Sequence, residues 1–164
     1  MSIDPFDLLI RLTADPVDLS TCASMLISSD PWITLGIGYD DTMVTLSDPS
    51  REVYVAQRGE SILGFIVVEM KGAFTGYIKS ICVSPQHRSR GIGKVLMNYA
   101  EERILREKPN VFLCVSGFNY RAQRFYEKLD YSVVGELHDY LVSGESEILM
   151  RKTISPINEF QRIR

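Results

Sequence analysis

Arg88-Ser89-Arg90-Gly91-Ile92-Gly93-Lys94 lies between an apolar run, Ile78 to Val83, and a stretch from Ile92 to Leu105 whose apolar residues recur at helical spacing. Three cations and two glycines at the seam of a strand and a helix suit the binding of a phosphate or pyrophosphate. Glycine lets an anion reach the main chain, where successive N–H groups and the positive end of a helix converge. Arg88, Arg90 and Lys94 would add charge at the rim. The spacing matches neither the P-loop nor the Gly-x-Gly-x-x-Gly dinucleotide turn. Taken alone, it also fits an ordinary tight turn before a helix.

Other reactive side chains give less. Cys22, Cys82 and Cys114 lack Cys-x-x-Cys spacing and have only two histidines to join them, so no metal site is expected. Cys82 and Cys114 sit inside apolar, strand-like runs and read as small buried hydrophobes. No Gly-x-Ser-x-Gly elbow points to a hydrolase.

The elements that must position the glycine turn follow from periodicity. Phe6 to Leu12 reads as a first strand, with Asp15 capping a helix that carries Pro16 in its first turn and runs to about Ser28. A broken helical region holds Trp32 and Leu35, and Asp48-Pro49-Ser50 stops it. Glu52 to Gln57 and Ile62 to Met70 form a hairpin across Arg58-Gly59-Glu60-Ser61, and Ala73 to Val83 is the fourth strand. Ile92, Val95, Leu96, Tyr99, Ala100 and Ile104 share a helix side that should lie on the sheet, leaving Lys94, Glu101 and Glu102 in water. Val111 to Val115 reads as a short buried strand. Asn119 opens a helix with Ala122, Phe125, Tyr126 and Leu129 on one side. Tyr131 to Leu141 and Glu145 to Lys152 close the fold as a hairpin. The expectation is an α/β mixed sheet of about seven strands with four helices on both faces, one domain over residues 1–153 and a tail over 154–164.

Arg88-x-x-Gly91-x-Gly93 resembles the Gln/Arg-x-x-Gly-x-Gly/Ala signature of the GNAT superfamily of acetyl-CoA-dependent N-acetyltransferases. The run Ile78 to Arg88 resembles that family's strand and connecting loop, and Asn119 with Tyr126-Glu127-Lys128-Leu129 resembles its second cofactor motif. The likeness spans roughly Phe6 to Lys152. It implies that the fourth and fifth strands diverge to admit the pantetheine arm, with Ile81, Cys82 and Val83 pairing to it. It also implies that the main chain of Arg88, Ser89, Arg90, Gly91, Ile92, Gly93 and Lys94 holds the pyrophosphate and that Asn119 meets pantetheine. The Val83 N–H would face the thioester oxygen. Tyr126 would protonate the leaving sulfur, although by spacing alone it also belongs to a core stripe.

No glutamate stands where relatives carry one as general base: Tyr77 occupies the fourth-strand position and Cys114 the fifth. Glu69, Glu136, His138 or a chain of waters remain as proton acceptors. The resemblance implies transfer of an acetyl group from acetyl-CoA to a primary amine of a small molecule or protein. A catalytically silent acyl-CoA sensor and an acetyltransferase for ribosomal N-terminal alanine are the other two readings.

Charge bears on the acceptor. Between Leu12 and Ser50 there is no Lys or Arg but six aspartates, Asp15, Asp18, Asp30, Asp40, Asp41 and Asp48. Lys79 to Lys108 holds seven cations against three glutamates. An acidic front suits a cationic acceptor, with Trp32, Asp40 and Asp41 expected beside it, and a basic centre suits a polyanionic cosubstrate. The pI near 5.4 speaks against a broad nucleic-acid surface. No apolar run approaches the roughly 20 residues of a membrane helix. With Asp4 and Asp7 near the start and no secretory signal, a cytoplasmic monomer or homodimer is expected.

Overall fold

Asp15 starts the first helix as anticipated: its carboxylate accepts from the Val17 and Asp18 N–H groups, and α1 runs Pro16–Ile27. In the computed structural model, which describes residues 7–162, the strands are β1 (Leu9–Thr13), β2 (Arg51–Arg58), β3 (Ser61–Glu69), β4 (Tyr77–Val83), β5 (Asn110–Ser116), β6 (Ser132–His138) and β7 (Ser146–Thr153). The remaining helices are α2 (Tyr39–Leu46), α3 (Ile92–Leu105) and α4 (Tyr120–Glu127). The seven strands form one sheet in the order β1-β2-β3-β4-β5-β7-β6. All neighbours are antiparallel except β4 and β5.

Both faces of the sheet are covered, which explains why Leu63 through Val68 of β3 are all buried. On one face Ile92, Leu96, Met97, Ala100 and Ile104 of α3 pack with Ile66, Val68, Leu113 and Met150. On the other, Leu19, Cys22, Ala23 and Leu26 of α1 and Leu46 of α2 pack with Val53, Val55, Phe65, Val67 and Cys82.

Several boundaries differ from the sequence reading. The expected strand start at Phe6 lies outside the described residues, and β4 begins at Tyr77 because residues 73–76 form a bend. The broken helical region resolves into turns around Trp32 and a separate α2. On α3 the buried stripe is rotated toward Met97 and Glu101. Tyr99 is 38% exposed and stacks on Tyr54, whereas Glu101, expected in water, is 7% exposed. A partner explains this: Lys152 Nζ of β7 donates to Glu101 Oε2 at 2.7 Å, so the carboxylate is buried with its counter-charge. Beyond β7, the Ile154 N–H bonds to the Pro109 carbonyl, and a single 3₁₀ turn follows at Ile157–Glu159.

Candidate functional site

The two parallel strands stay together for only two pairs, Tyr77↔Phe112 and Ile78↔Leu113. Just beyond, the β3–β4 register shifts: Val68 faces Ile78 but Val67 faces Ser80, leaving Lys79 as an extra residue on β4. A bulge of this kind bends its strand and increases local twist. β5, by contrast, follows β7 through seven consecutive pairs. The strands therefore part, and a cleft of about 650 Å³ opens between them.

Hydrogen-bond alternation decides what β4 offers to that cleft. The Ser84 N–H bonds to the Leu63 carbonyl at 2.9 Å, and the register pairs Cys82 with Phe65 and Val83 with Gly64. In an antiparallel ladder every second residue turns its N–H and C=O to the partner strand. Cys82 is thus satisfied by β3, while Ile81 and Val83 point their backbone groups toward the departed β5. Of the three residues expected to pair with pantetheine, Ile81 turns its N–H and C=O to the gap and Val83 its N–H, the Val83 carbonyl accepting from Arg88 Nε. Cys82 instead sends its thiol to the α1 face, 3.9 Å from Ser29 Oγ, where burial pushes it up to about 11.

Three of the loop residues in question line the mouth of the cleft, Arg88, Ser89 and Gly91, together with Ile92, Gly93 and Lys94 of the helix they lead into. Gly91 has φ +85° and caps α3 without a side-chain hydrogen bond, so the first amides of the helix stay available. Arg88 Nε donates to the Val83 carbonyl at 3.1 Å. Arg90 is exposed and does not line the cleft. At Gly93 a Cβ would meet only Phe125 at 3.6 Å and Val83 at 3.9 Å, ordinary contacts. The fold does not itself demand glycine there, as a close-approaching anion would.

Asn119 caps α4, accepting from the Ala122 N–H at 3.1 Å, and lines the cleft. Two turns on, Tyr126 lines it too, 7% exposed, between the rings of Phe125 and Tyr131. Burial holds its phenol well above the usual tyrosine range, so it keeps its proton. The core-stripe reading and the cleft reading of Tyr126 are both true of the geometry, since it also belongs to the α3-side core.

The expected proton acceptors are elsewhere. Glu69 accepts from Arg51 Nε at 2.9 Å, engaged at the far end of β3. His138 is 74% exposed on the edge strand β6, its Nδ1 3.0 Å from Ser146 Oγ and 3.7 Å from Glu136. None of the three lines the cleft. The acidic front dissolves as well. Asp15 caps α1, Asp18 takes Arg11 and Thr13, Asp30 holds Thr34, and Asp48 holds Ser50. The Arg11 hydrogen bond keeps Asp18 below the usual carboxylate range. Asp40 and Asp41 occupy the first turn of α2, whose Gly38 cap has no side chain to offer, so both answer the helix dipole. Trp32 and Asp41 reach the cleft; Asp40 does not.

Arg121, His87 and Glu147 are among the lining residues that escaped the sequence reading. Arg121 Nη2 donates to Ser89 Oγ at 2.8 Å, tying the start of α4 to the glycine loop; the Asn119 cap was the available signal, because it fixes Arg121 in the first turn of α4. His87 holds Ser84 Oγ at 2.7 Å. Glu147 is buried at the start of β7, opposite Ser116. Its apolar neighbours Ile148 and Met150 mark the other face of the strand, so sequence alternation alone assigns Glu147 to solvent.

The sequence profile of the Acetyltransferase (GNAT) family matches residues 20–131, and the chain belongs to that family. Among its relatives, the catalytic subunit NAA20 of the N-terminal acetyltransferase B complex of Arabidopsis thaliana is 30% identical over 104 residues, 59% of this chain and 59% of that protein. The crystal structure of aminoglycoside 6'-acetyltransferase type Ii superposes with a TM-score of 0.71 at 25% identity, covering 90% of this chain and 98% of that one. A Bacillus anthracis protein described as a streptothricin acetyltransferase, solved with acetyl coenzyme A, matches at 26% identity and a TM-score of 0.59 over 65% of this chain and 64% of its own.

Proposed function

We propose that this protein transfers the acetyl group of acetyl-CoA to a primary amine by direct attack of the amine on the thioester. The observation that carries the reading is the parting of β4 and β5, which leaves the Ile81 main chain and the Val83 N–H without a strand partner along a groove running from the α3 amides to Tyr126. The groove fits the cosubstrate end to end. The amides of Ile92, Gly93 and Lys94 and the cations Arg88, Lys94 and Arg121 suit a pyrophosphate. Ile81 and Val83 suit the amide-bearing pantetheine arm, which would pair as an added strand. The Val83 N–H would receive the carbonyl oxygen as it gains charge, and the Tyr126 phenol would give its proton to the departing sulfur. Family membership and the acetyl coenzyme A complex of a relative support the same cosubstrate.

The acceptor is a primary amine entering from the α1–α2 side, where Trp32 and Asp41 stand. Four of the six aspartates are held in local hydrogen bonds, so this side of the cleft suits a protein N-terminus as well as it suits a polycation. A cytoplasmic monomer or homodimer belongs to this reading; the free thiols of Cys22, Cys82 and Cys114 suit a reducing compartment.

Thiol release from acetyl-CoA, followed against peptides with a free N-terminus (alanine-initiated ones included), spermidine and an aminoglycoside, tests it. Turnover with at least one amine is expected. Tight acetyl-CoA binding without thiol release on any would replace the transferase with a silent binding module. Within an active system, D41N should raise KM for a cationic acceptor and D40N should not; equal effects would remove Asp41 from the acceptor site.

A further inference from the structure

We propose that Glu147 takes the proton of the incoming amine, with Ser116 as its positioning residue. This rests on the acetyl-transfer reading above and supplies the proton acceptor that neither Glu69 nor His138 provides. Of the carboxylates that line the cleft among the described residues, Asp30 and Asp41 are exposed, while Glu147 is 5% exposed. A buried carboxylate facing a cavity requires a counterpart, and here the protein gives it only part of one. Ser116 Oγ donates to Glu147 Oε1 at 2.8 Å. Oε2 has no hydrogen bond among the described residues and is not sealed from solvent.

Strand register fixes which way Glu147 faces. Ile148 and Met150 pack in the α3-side core, so Glu147 projects from the opposite face, the one Cys82 shares with α1. The cosubstrate groove and the carboxylate therefore approach the gap from opposite faces of the sheet, as attack on a thioester by an amine requires. Side chains from β4, β5 and the β6–β7 connection surround Glu147. Tyr77 and Lys79 lie on β4, Cys114 and Ser116 on β5, and Tyr140 in the β6–β7 connection; on β6 its register partner is the uncharged Leu137. Lys79 is the sole cation of the set and forms no ion pair with it. Burial holds Glu147 above the usual carboxylate range, with Ser116 and Lys79 pulling back. A carboxylate so raised is a stronger base toward an ammonium group than an exposed one.

The step balances. Glu147 Oε2 removes one proton from R–NH3⁺, the neutral nitrogen forms the N–C bond, and the C–S bond breaks. The sulfur takes a proton from Tyr126, which is restored by the second proton the nitrogen sheds. Glu147 returns its own proton to solvent, so each turnover yields amide, thiol and one H⁺.

The test uses wild type, E147Q and S116A with whichever amine of the panel turns over fastest. For E147Q, kcat/KM at pH 7 should fall by about 10²- to 10⁴-fold, and the loss should shrink as pH rises and the amine deprotonates unaided. S116A should move the acidic limb of the kcat/KM profile with a smaller loss in rate. Acetyl-CoA affinity by calorimetry should be unchanged in both, because Glu147 and Ser116 project from the face of the sheet opposite the α3-side groove proposed for the cosubstrate. Wild-type kcat/KM with an unmoved acidic limb in E147Q overturns the proposal while leaving acetyl transfer intact. Should E147Q fail to fold, an unmoved limb in S116A has the same force. A wild-type protein that releases thiol with no amine overturns both readings.

Discussion

At the scale of single residues, Tyr126 illustrates how one environment serves two ends. Its ring is core, packed by Phe125 and Tyr131, and that burial is also what keeps the phenol protonated. Y126F retains the ring, so melting should change by little more than the loss of one hydroxyl. On the proposed reading kcat should fall by about 10²- to 10⁴-fold with the acetyl-CoA dissociation constant unchanged. A variant as active as wild type would return Tyr126 to the core alone. Residue types of this kind were legible in the sequence because the Asn119 cap fixes the phase of α4. That Glu69, Glu136 and His138 lie away from the cleft was not legible, because their type was visible but their partners were not: Arg51 and Ser146 become neighbours only through strand pairing. Glu147 was invisible for the converse reason, since its burial depends on the β5–β7 register and no local pattern encodes that register.

At the scale of elements, helix and strand identities followed closely from periodicity, and the N-cap of α1 followed from Asp15 and Pro16. The cleft did not. It arises from a one-residue bulge at Lys79 acting where β4 has its last partner on β5, and a bulge leaves no mark on alternation strong enough to place in advance. The glycine turn was legible, and its two glycines do different work. Gly91 is held at φ +85°, a conformation that penalises any side chain. Gly93 is helical with room for a methyl group. Alanine at 93 should therefore stabilise the free protein by roughly 0.5–1 kcal/mol through helix propensity, seen as a higher melting temperature. The same methyl would stand where the pyrophosphate must approach the amides, so acetyl-CoA affinity should drop by tenfold or more in calorimetry. A stabilised variant with unaltered affinity would move the phosphates away from this turn.

For the molecule as a whole, the sheet is two pieces, β1–β4 and β5–β7, held by two β4–β5 pairs and by the core that α3 and α4 lay across them. A ligand lying in the gap would complete the missing ladder and so stabilise the fold as well as occupy it. Acetyl-CoA at a hundred times its dissociation constant should add about 2.7 kcal/mol, which for a domain of this size is roughly 5–10 °C in melting temperature. Hydrogen exchange locates the effect. In the free protein the Ile81 and Val83 amides, turned toward the gap, should exchange rapidly, while those of Cys82 and Ser84, bonded to β3, should be protected. Adding acetyl-CoA should slow Ile81 and Val83 together with the first amides of α3 and leave the β6 edge unaffected. Protection confined to β6, or the same thermal shift without any change at Ile81 and Val83, would mean that the cosubstrate binds outside the parted strands, because no other change in this sheet couples those two alternate amides to the start of α3.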